Sequence, residues 1–450
     1  MRVEPARRIR GVLRLPGDKS ISHRAAIMAA LSRGRTVIRN YASSEDCAHT
    51  LSCLQGLGIS IERDGATVTV TGRGREGLVA PRSALDCGNS GTTMRMLAGV
   101  LAGQDFRSVL TGDASLRSRP MRRVIEPLER MGASLSAQDG RAPLTIEGRR
   151  PLRAIRYEMP VASAQVKSCV LLAGLEAEGR TEVLERGGPT RDHTERMLRW
   201  FGVELETKHT EEDGQSFDLF AVEGPARLTG RDGAVPGDIS SAVFFLAAAA
   251  LLPGSELLIE GVGLNPTRTR VLSTLKDLGA DVEVEEPSPG EQSSEGDFNE
   301  PSGPIRIGGG TGGLAPLERG RSNILSGALI AQLIDELPML AVLGTQVSGG
   351  LTIRDAGELR LKETDRISAT VWNLRAMGAE VEEYEDGLAV AGGARLRGAR
   401  LDARGDHRIV MASAVAALIA EGPSEIGGAE ECVGVSFPGF FRVLESVVER

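Results

Sequence analysis

The chain repeats one pattern six times, and this periodicity constrains its fold more strongly than any local motif does. In each repeat a short polar cluster stands directly before an apolar stretch with helical spacing. The clusters are centred on Ser20, Ser90, Ser163, Ser240, Glu336 and His407, at intervals of 70, 73, 77, 96 and 71 residues. The long fourth interval contains a hydrophilic insert around residues 287–303. Equivalent helix starts that carry Lys, Arg or His suit a protein that binds multiply charged anions.

The first repeat shows the order of its elements. Ser20 or Ser22 is expected to cap a helix, and a short strand over residues 36–38 follows it. A second helix is expected to end at Gly58, and residues 66–70 alternate like a half-buried strand. The order helix–strand–helix–strand recurs in the other repeats. We therefore predict an α/β protein built from repeated units of mixed strand direction.

The tripeptide Pro-Gly-Asp occurs before the first and the fourth of these helices, at residues 16–18 and 236–238. Three repeats lie between the two tripeptides, and three follow the second. This predicts two domains of three repeats, joined by two crossings, the second domain being completed by the N-terminal strand. The expected boundaries are 18–236 for one domain and 1–17 with 237–450 for the other. Residues 207–216 and 285–303 are so polar that we expect surface loops there.

Composition excludes several classes of protein. The 450 residues are 41% hydrophobic and 25% charged, as in an ordinary globular protein of two or three domains. The formal net charge of −8, without a basic stripe interleaved with aromatics, argues against a nucleic-acid partner. The sequence shows neither a membrane-length apolar run nor a signal-peptide core, so we expect a cytoplasmic location. Five cysteines without CxxC spacing predict reduced thiols rather than a disulfide framework or a zinc site.

Charged and hydroxyl residues concentrate at the helix starts. Residues 17–24 place Lys19, two hydroxyls and Arg24 at the first start. Residues 85–92 form a start whose glycines let backbone amides approach a phosphate, but no Gly-Lys-Ser/Thr follows, so a P-loop ATPase is unsupported. Residues 163–167 add a hydroxyl and an amide at the third start. A capped helix with solvated charges explains each of these clusters at least as well when it is taken alone.

Acidic residues mark the last three repeats. Asp335 and Glu336 stand at the fifth helix start, where the helix dipole favours negative charge. Residues 362–366 contain Lys, Glu, Asp and Arg, a combination that usually forms an exposed salt-bridged face. Residues 406–408 open the last repeat with two potential cations. Each cluster has an ordinary structural explanation, but the ordered set points to a function.

As a set, these clusters resemble the 5-enolpyruvylshikimate-3-phosphate synthase family. The resemblance runs in order from residue 15 to about residue 444. Its motifs are residues 15–24, 88–92, 119–121, 163–165, 335–338, 362–366 and 406–408. It implies a two-domain inside-out α/β barrel with six βαβαββ repeats, three per domain. The Ser-Ala-Gln form of residues 163–165 resembles the second, bacterial class of the family.

The resemblance implies transfer of an enolpyruvyl group from phosphoenolpyruvate to the 5-hydroxyl of shikimate 3-phosphate, with release of phosphate, in aromatic amino acid biosynthesis. The implied route is addition and then elimination through a tetrahedral ketal. It implies small-molecule substrates, glyphosate binding at the phosphoenolpyruvate site, and no metal or organic cofactor. We expect a monomer with no nucleic-acid or membrane partner.

The family match also implies a role for each site residue. Lys19 is expected to contact both substrates. The residues expected to hold shikimate 3-phosphate are Ser20, Arg24, Ser163, Ala164, Gln165 and Lys362. Those expected to hold phosphoenolpyruvate are Gly91, Arg119, Gln165, Arg366 and Arg408. Asp335 is the expected substrate-binding general base and Glu363 the expected acid, with Lys19 as the rival acid. Arg191 is a further candidate near the shikimate phosphate.

Two positions depart from the family pattern. Val435 precedes residues 436–438, where many members carry a lysine that contacts phosphoenolpyruvate. Glu358 stands where some members have an asparagine that contacts the shikimate ring.

Three other functions are compatible with parts of the pattern. The sister transferase that acts on UDP-N-acetylglucosamine usually has Lys-Asn where this chain has Lys19 and Ser20, and a cysteine in the segment that here reads 112–119 without one. A non-catalytic anion-binding scaffold does not account for Asp335 and Glu363, because carboxylates repel anions. RNA 3′-end cyclases share a related repeat fold, but the acidic net charge and the lack of an adenylation-type histidine motif argue against them.

Overall fold

The structure, a computed structural model, describes residues 1–186, 190–212, 215–285, 298–310, 314 and 323–450. The chain divides into two compact units. The N unit consists of Gly17–Val235 and Glu295–Glu300, and the C unit of Met1–Pro16, Pro236–Ser294 and Pro301–Arg450. Strands β1 (Arg2–Val3) and β2 (Arg8–Arg14) open the chain and belong to the C unit.

The N unit alternates helices with strands along the chain. Its elements are α1 (Lys19–Leu31), β3 (Ser32–Arg39), α2 (Glu45–Gly56), β4 (Ser60–Asp64), β5 (Thr67–Arg73), β6 (Leu85–Asp86), α3 (Gly91–Ala102), β7 (Arg107–Thr111), α4 (Ala114–Ser118), α5 (Arg122–Arg130), β8 (Ser134–Gln138), β9 (Arg141–Glu147), β10 (Leu152–Arg153), β11 (Arg156–Glu158), α6 (Ala164–Gly174), β12 (Ala177–Arg186), α7 (His193–Trp200), β13 (Leu205–Glu212), β14 (Gln215–Gly224), β15 (Leu228–Thr229) and β16 (Gly233–Ala234).

The C unit follows the same alternation. Its further elements are α8 (Ile239–Leu251), β17 (Glu256–Gly263), α9 (Arg270–Asp277), β18 (Asp281–Val284), β19 (Ser302–Gly308), β20 (Ile324–Leu325), α10 (Ala328–Leu333), α11 (Leu337–Gly344), β21 (Leu351–Ile353), a 3-10 helix (Gly357–Leu361), α12 (Arg366–Ala376), β22 (Val381–Tyr384), β23 (Gly387–Val390), β24 (Arg400–Asp402), α13 (His407–Leu418), β25 (Ser424–Gly427), α14 (Ala429–Gly434), α15 (Phe440–Glu445) and β26 (Val448–Glu449).

The sheets repeat one strand order, which confirms the predicted α/β fold with mixed strand direction. In the N unit the orders are β15-β3-β5-β4, β6-β7-β9-β8 and β10-β12-β14-β13. In each, the first pair is parallel and the later pairs are antiparallel, as a βαβαββ unit requires. The first repeat thus takes its first strand from the end of the unit, where β15 and β16 pair with β3.

The C unit shows the same strand exchange. β2 lies parallel to β17 in the order β18-β19-β17-β2-β26, so an N-terminal strand supplies the first strand of the fourth repeat. The fifth repeat has the order β20-β21-β23-β22. In the sixth, β24 and β25 are parallel and β1 pairs with β25 in the antiparallel direction.

The helices that open the repeats are buried around most of their circumference. Ile21 to Leu31 of α1 and Val166 to Gly174 of α6 are buried without a break. In the C unit, every residue of α11 and α13 is buried. A helix that is hydrophobic all round belongs inside a core rather than on its surface. The polar residues of these helices are therefore concentrated at their ends.

Three local predictions were wrong. The cap of α1 is Asp18, which accepts the Ile21 N–H at 2.9 Å and lies two residues before Ser20, the nearer of the two expected caps. Residues 207–212 and 215–216 lie in the paired strands β13 and β14, since a strand pair with one solvated face tolerates such polarity, and residues 213–214 lie outside the described residues. Of residues 285–303, Phe298 and Glu300 are buried and β19 begins at Ser302, whereas residues 286–297 lie outside the described residues.

The domain boundaries differ from the prediction at one segment. Glu295–Glu300 belongs to the N unit, although it lies within the stretch assigned to the other domain. The chain therefore changes unit at this segment as well as after Pro16 and after Val235. The burial of Phe298 in the N-unit core explains the difference. Among the described residues, no helix has the length and apolarity needed to cross a membrane.

The close approach of α3 and α6 gives a first prediction. A Cβ atom on Gly99 would lie 2.2 Å from the carbonyl oxygen of Cys169, so Gly99→Ala must push the two helices apart. We expect it to lower the free energy of unfolding by about 1–3 kcal/mol, the usual range for overpacking a core. Urea titration followed by circular dichroism measures this. Gly357→Ala is the matched control, because a Cβ there has nothing within 4 Å. Equal stability of both variants would contradict this account of the helix contact.

Candidate active site

The predicted site residues form two groups, one in each unit. Lys19, Ser20, Arg24, Gly91, Arg119, Ser163, Ala164 and Gln165 belong to the N unit, and Asp335, Lys362, Glu363, Arg366 and Arg408 to the C unit. Within each unit most of them lie at the starts of the buried helices, because these ends are where an all-apolar helix can carry polar groups.

Arg24 is buried and surrounded by neutral oxygens. Its Nε donates to Thr194 Oγ1 at 2.8 Å, its Nη1 to the Ser20 carbonyl at 2.9 Å and its Nη2 to Ser168 Oγ at 3.1 Å. Burial, opposed by the charge of Glu195 and reinforced by that of Arg191, lowers the pKa of Arg24 to about 10. The side chain is therefore a cation at neutral pH. A buried cation with neutral partners favours an anionic ligand.

Gln165 joins the starts of α3 and α6. Its Oε1 accepts from Arg95 Nη1 at 2.6 Å, and its Nε2 donates to Thr92 Oγ1 at 2.9 Å. The absent side chain of Gly91 leaves room for this arrangement, because a Cβ there would lie 2.7 Å from Arg95 Nη1 and 3.5 Å from Arg119 Nη1. The structure thus brings two guanidinium groups to one glycine at a helix start.

Arg119 and Lys19 are each held by residues of their own unit. Arg119 Nη2 donates to Asn89 Oδ1 at 2.8 Å and to Ser115 Oγ at 3.1 Å. Lys19 Nζ donates to Asp46 Oδ2 at 2.9 Å, and the lysine side chain is 19% exposed. Lys19 at the start of α1 and Arg119 at the end of α4 are therefore both oriented before any ligand binds, which favours tight anion binding.

Ser163 has the structural role that the sequence also allowed. Its Oγ caps α6 by accepting the Val166 N–H at 3.4 Å, and Ala164 is the first helical residue. Arg191 lies two residues before α7 and is partly exposed. Its charge acts on Arg24, so both arginines contribute to one positive region.

Arg366 organises the C-unit group. It is 2% exposed and donates to Asp406 Oδ2 at 2.8 Å, to Glu363 Oε2 at 2.6 Å and to Asp335 Oδ1 at 3.2 Å. Burial alone would lower the pKa of Arg366, but the charges of these carboxylates outweigh it and raise the pKa. The two predicted proton-transfer residues, Asp335 and Glu363, are thus held by the same guanidinium group.

Arg408 and Glu336 extend this group. Arg408 Nη1 donates to the Asp335 carbonyl at 2.8 Å, and its Nε lies 3.7 Å from Asp335 Oδ1. Glu336 is buried and accepts hydrogen bonds from Ser240 Oγ and from Arg268 Nη2. Glu336 therefore connects the starts of α8 and α11 and has a structural explanation.

Lys362 follows the 3-10 helix and is partly exposed, two residues after Arg360, which pairs with Asp365 at 2.5 Å. Glu358 lies in the first turn of that 3-10 helix, and Val435 is the residue after α14. Among the described residues, no cluster of three or more His, Cys, Asp and Glu side chains could hold a metal ion.

Several residues of the site were missed by the sequence analysis. They are Asp46, Arg95, Ser168, Thr194 and Asp406, each of which orients a predicted residue. Asp406 was within a quoted motif and follows the same Asp N-cap pattern as Asp18, which is a usable signal. Thr194 and Ser168 carry no such signal, because their role depends on the packing of α7 against α1 and α6.

His23 lies beneath the first helix start and gives a pH prediction. It is buried, and its Nδ1 is 2.6 Å from Thr50 Oγ1. Burial, with the charges of Lys19 and Arg24, holds the pKa of His23 well below 6.5. The unfolded chain takes up a proton near pH 6.5 and the folded chain does not. This contribution to stability is complete above pH 6.5 and is lost as pH falls toward the folded pKa, by up to about 1.4 kcal/mol per pH unit.

The matching experiment compares the fall in the free energy of unfolding between pH 7.5 and 5.5. We expect His23→Gln to show a fall smaller than that of the wild type by about 1 kcal/mol. His209→Gln is the control, because His209 is 64% exposed, and it should keep the wild-type dependence. Identical falls in wild type and His23→Gln would show that His23 titrates normally in the folded state.

The chain is similar to known proteins over nearly its whole length. The family model for EPSP synthase (3-phosphoshikimate 1-carboxyvinyltransferase) matches residues 3–444. A protein of Geobacter sp. (strain M21) with the name 3-phosphoshikimate 1-carboxyvinyltransferase is 46% identical over 450 residues, which are 100% of this chain and 99% of that protein. One of the same name from Pelotomaculum thermopropionicum is 49% identical over 458 residues, covering 100% of this chain and 99% of its own.

A solved structure extends this similarity to the fold. The EPSP synthase from Acinetobacter baumannii superposes with a TM-score of 0.83 at 39% identity, covering 99% of this chain and 98% of that one. The family match, the relatives and the shared fold cover the same residues as the motifs described above. The chain belongs to the EPSP synthase family.

Proposed function

We propose that this protein transfers the enolpyruvyl group of phosphoenolpyruvate to the 5-hydroxyl of shikimate 3-phosphate and releases inorganic phosphate. Membership of the EPSP synthase family over residues 3–444 is the observation that carries this proposal. The relatives named 3-phosphoshikimate 1-carboxyvinyltransferase match the full chain and not only a shared domain. The reaction belongs to the shikimate pathway of aromatic amino acid biosynthesis. A cytoplasmic location, a monomeric state and the second class of the family are parts of the same proposal.

The N-unit group fits a phosphorylated hydroxy acid. We assign Lys19, Ser20, Arg24, Ser163, Ala164 and Gln165, together with Lys362 of the C unit, to shikimate 3-phosphate. Arg24 supports this assignment best, because it is a buried cation whose described hydrogen bonds all go to neutral oxygens. A guanidinium group binds phosphate oxygens through charge-assisted hydrogen bonds, which are stronger than those it makes here.

A second set of residues fits phosphoenolpyruvate. We assign Gly91, Arg119, Gln165, Arg366 and Arg408 to it, with Lys19 contacting both substrates. The missing Cβ of Gly91 lets the guanidinium groups of Arg95 and Arg119 lie close to the backbone of a helix start, where both can bind a phosphate or carboxylate. Glyphosate would bind at the same position as a competitor of phosphoenolpyruvate.

The chemistry requires one base and one acid. In the addition step, Asp335 takes the proton of the 5-hydroxyl group of shikimate 3-phosphate. The oxygen of that hydroxyl group bonds to C2 of phosphoenolpyruvate, and an acid delivers a proton to C3. This produces the tetrahedral ketal. In the elimination step, the group that acted as the acid takes a proton back from C3. The double bond between C2 and C3 re-forms, the C2–O bond to phosphate breaks and inorganic phosphate leaves. Asp335 suits the first role because Arg366 and Arg408 fix its carboxylate and its backbone.

Two groups compete for the role of the acid. Glu363 is bound to Arg366 at 2.6 Å, and Lys19 is bound to Asp46 at 2.9 Å. We propose Glu363, since it is held by the same guanidinium group as Asp335. A carboxylic acid and a carboxylate on one cation can exchange roles between the two steps without large motion.

A direct test measures phosphate release from phosphoenolpyruvate with each of two acceptors. We expect release with shikimate 3-phosphate and none above background with UDP-N-acetylglucosamine, because the Lys19–Ser20 pair and the cysteine-free 112–119 segment do not fit the sister reaction. Mass spectrometry of the product should show the enolpyruvyl adduct. Release with the sugar nucleotide alone would reject the proposed function.

A second prediction concerns Asp335. Asp335→Asn keeps the shape of the side chain but removes the base, so we expect turnover to fall by about 100-fold or more. Shikimate 3-phosphate affinity, measured by calorimetry, should change little. The control is Asp277→Asn, an exposed acid on α9 of the same unit, which should behave as wild type. Near-normal turnover of Asp335→Asn would remove this residue from the mechanism.

The same assay separates the two acid candidates. With Glu363→Gln we expect a comparable loss of turnover and a smaller change in substrate affinity, since the amide still accepts a hydrogen bond from Arg366. Retained turnover in that variant would assign the acid role to Lys19 instead.

A further inference from the structure

Three residues of the hydrophilic insert lie along one face of α7, and we name Phe298, Asn299 and Glu300 the strap. Glu300 Oε1 lies 2.7 Å from His193 Nδ1, and both side chains are 1% exposed. Asn299 exchanges two hydrogen bonds of 3.0 Å with Arg196, one through its carbonyl and one through its side chain. His193 and Arg196 are three residues apart, so they lie on the same side of α7.

Phe298 anchors the strap in the N-unit core. Its ring is fully buried, with ring centroids 6.1 Å from Trp200 and 6.2 Å from Phe201. Phe298 and Asn299 have φ angles of 59° and 57°, in the left-handed region that residues other than glycine seldom adopt. Such a conformation persists only where the surroundings hold it. The strap is therefore held in one defined conformation by its contacts with the N unit.

The opposite face of α7 contacts the substrate-binding group of the N unit. Thr194 Oγ1 accepts from Arg24 Nε at 2.8 Å and lies 2.6 Å from Ser168 Oγ. Glu195 pairs with the fully buried Lys167 at 2.8 Å. Thr194 and Glu195 are both buried. The helix α7 thus lies between the strap and Arg24.

The helix α7 is short, with only 8 residues. Its N-cap residue, Asp192, makes no side-chain capping hydrogen bond, although its carboxylate pairs with Arg196 at 2.8 Å across the first turn. Short helices owe their stability to packing more than to propensity. The strap supplies such packing at His193, Arg196 and Trp200, directly behind Thr194.

From this arrangement we propose that Phe298, Asn299 and Glu300 are positioning residues for shikimate 3-phosphate binding. They hold α7 so that Thr194 fixes the guanidinium of Arg24 in the orientation that meets the substrate phosphate. The proposal rests on the proposed function for the identity of the ligand. It assigns to the insert of the fourth repeat a role in a site formed by residues far from it in sequence.

The test is a double-mutant cycle on the two faces of α7. We expect Glu300→Ala and Thr194→Val each to raise the KM for shikimate 3-phosphate by about tenfold, with the KM for phosphoenolpyruvate and kcat changing by less than about twofold. If the strap acts through Thr194, the double variant should resemble the more affected single variant. Glu300→Gln, which retains an acceptor for His193, should recover most of the wild-type KM.

Two controls separate positioning from general loss of stability. Phe440→Leu removes an equally buried aromatic ring from the C unit and should leave both KM values near wild type. Hydrogen exchange of residues 193–200 reports the hold on α7 without any reaction. We expect these amides to exchange faster in Phe298→Leu than in wild type, and those of α8 to be unchanged.

The outcomes distinguish failure of this proposal from failure of the proposed function. Multiplicative effects in the double variant, equal rises of both KM values, or unchanged exchange in α7 would each overturn the role of the strap. A wild-type protein that does not turn over shikimate 3-phosphate would reject the proposed function. In that case the exchange of α7 and calorimetric binding of inorganic phosphate to wild type and Glu300→Ala decide whether the strap positions Arg24.

Discussion

Helices that are buried on all sides determine where this protein can place polar chemistry. In α1, α6, α11 and α13 an apolar surface covers the whole circumference, so a charged residue in the middle of the helix would be desolvated without a partner. The helix starts are the exception, because their backbone N–H groups need acceptors and favour negative charge. Aspartate caps at Asp18 and Asp406 satisfy some of these groups. The remaining charged side chains at these starts are the candidate site residues of each unit.

Each unit contains a buried arginine, and the two arginines differ in the charge of their hydrogen-bond partners. Arg366 is compensated by three carboxylates, two of which are the proposed proton-transfer residues. Arg24 is held by neutral oxygens, and its nearby negative charges act at longer range. A buried ion pair is stable without ligand, whereas a buried cation among neutral groups gains most when an anion arrives. This difference fits the proposal that Arg366 holds the two proton-transfer carboxylates while Arg24 binds an anionic group of the substrate.

The sequence predicted the features that depend on local pattern. The repeat period, the helix starts and the mixed strand direction follow from residues close together in the chain, and the motif residues were found because they lie at those starts. Cap identity was missed at Asp18 because Ser20 and Ser22 compete for the same role in sequence. The hairpin at β13–β14 was missed because polarity alone does not separate a solvated strand from a loop. Partners such as Thr194 and Arg95 depend on tertiary contacts, which no local pattern contains.

The insert of the fourth repeat shows why average polarity misleads. A segment is classed as a loop from its mean composition, but here the buried ring of Phe298 packs against Trp200 and Phe201, and the two residues after it bond to α7. Glu300 looks like a surface acid in sequence, yet burial beside His193 gives it a specific partner. The side chains that accept hydrogen bonds from Arg24 come from α6 and α7, and the strap behind α7 comes from more than 90 residues further along the chain. Such a site is defined only once the chain has folded, which is why its supporting residues are the part that sequence patterns do not reveal.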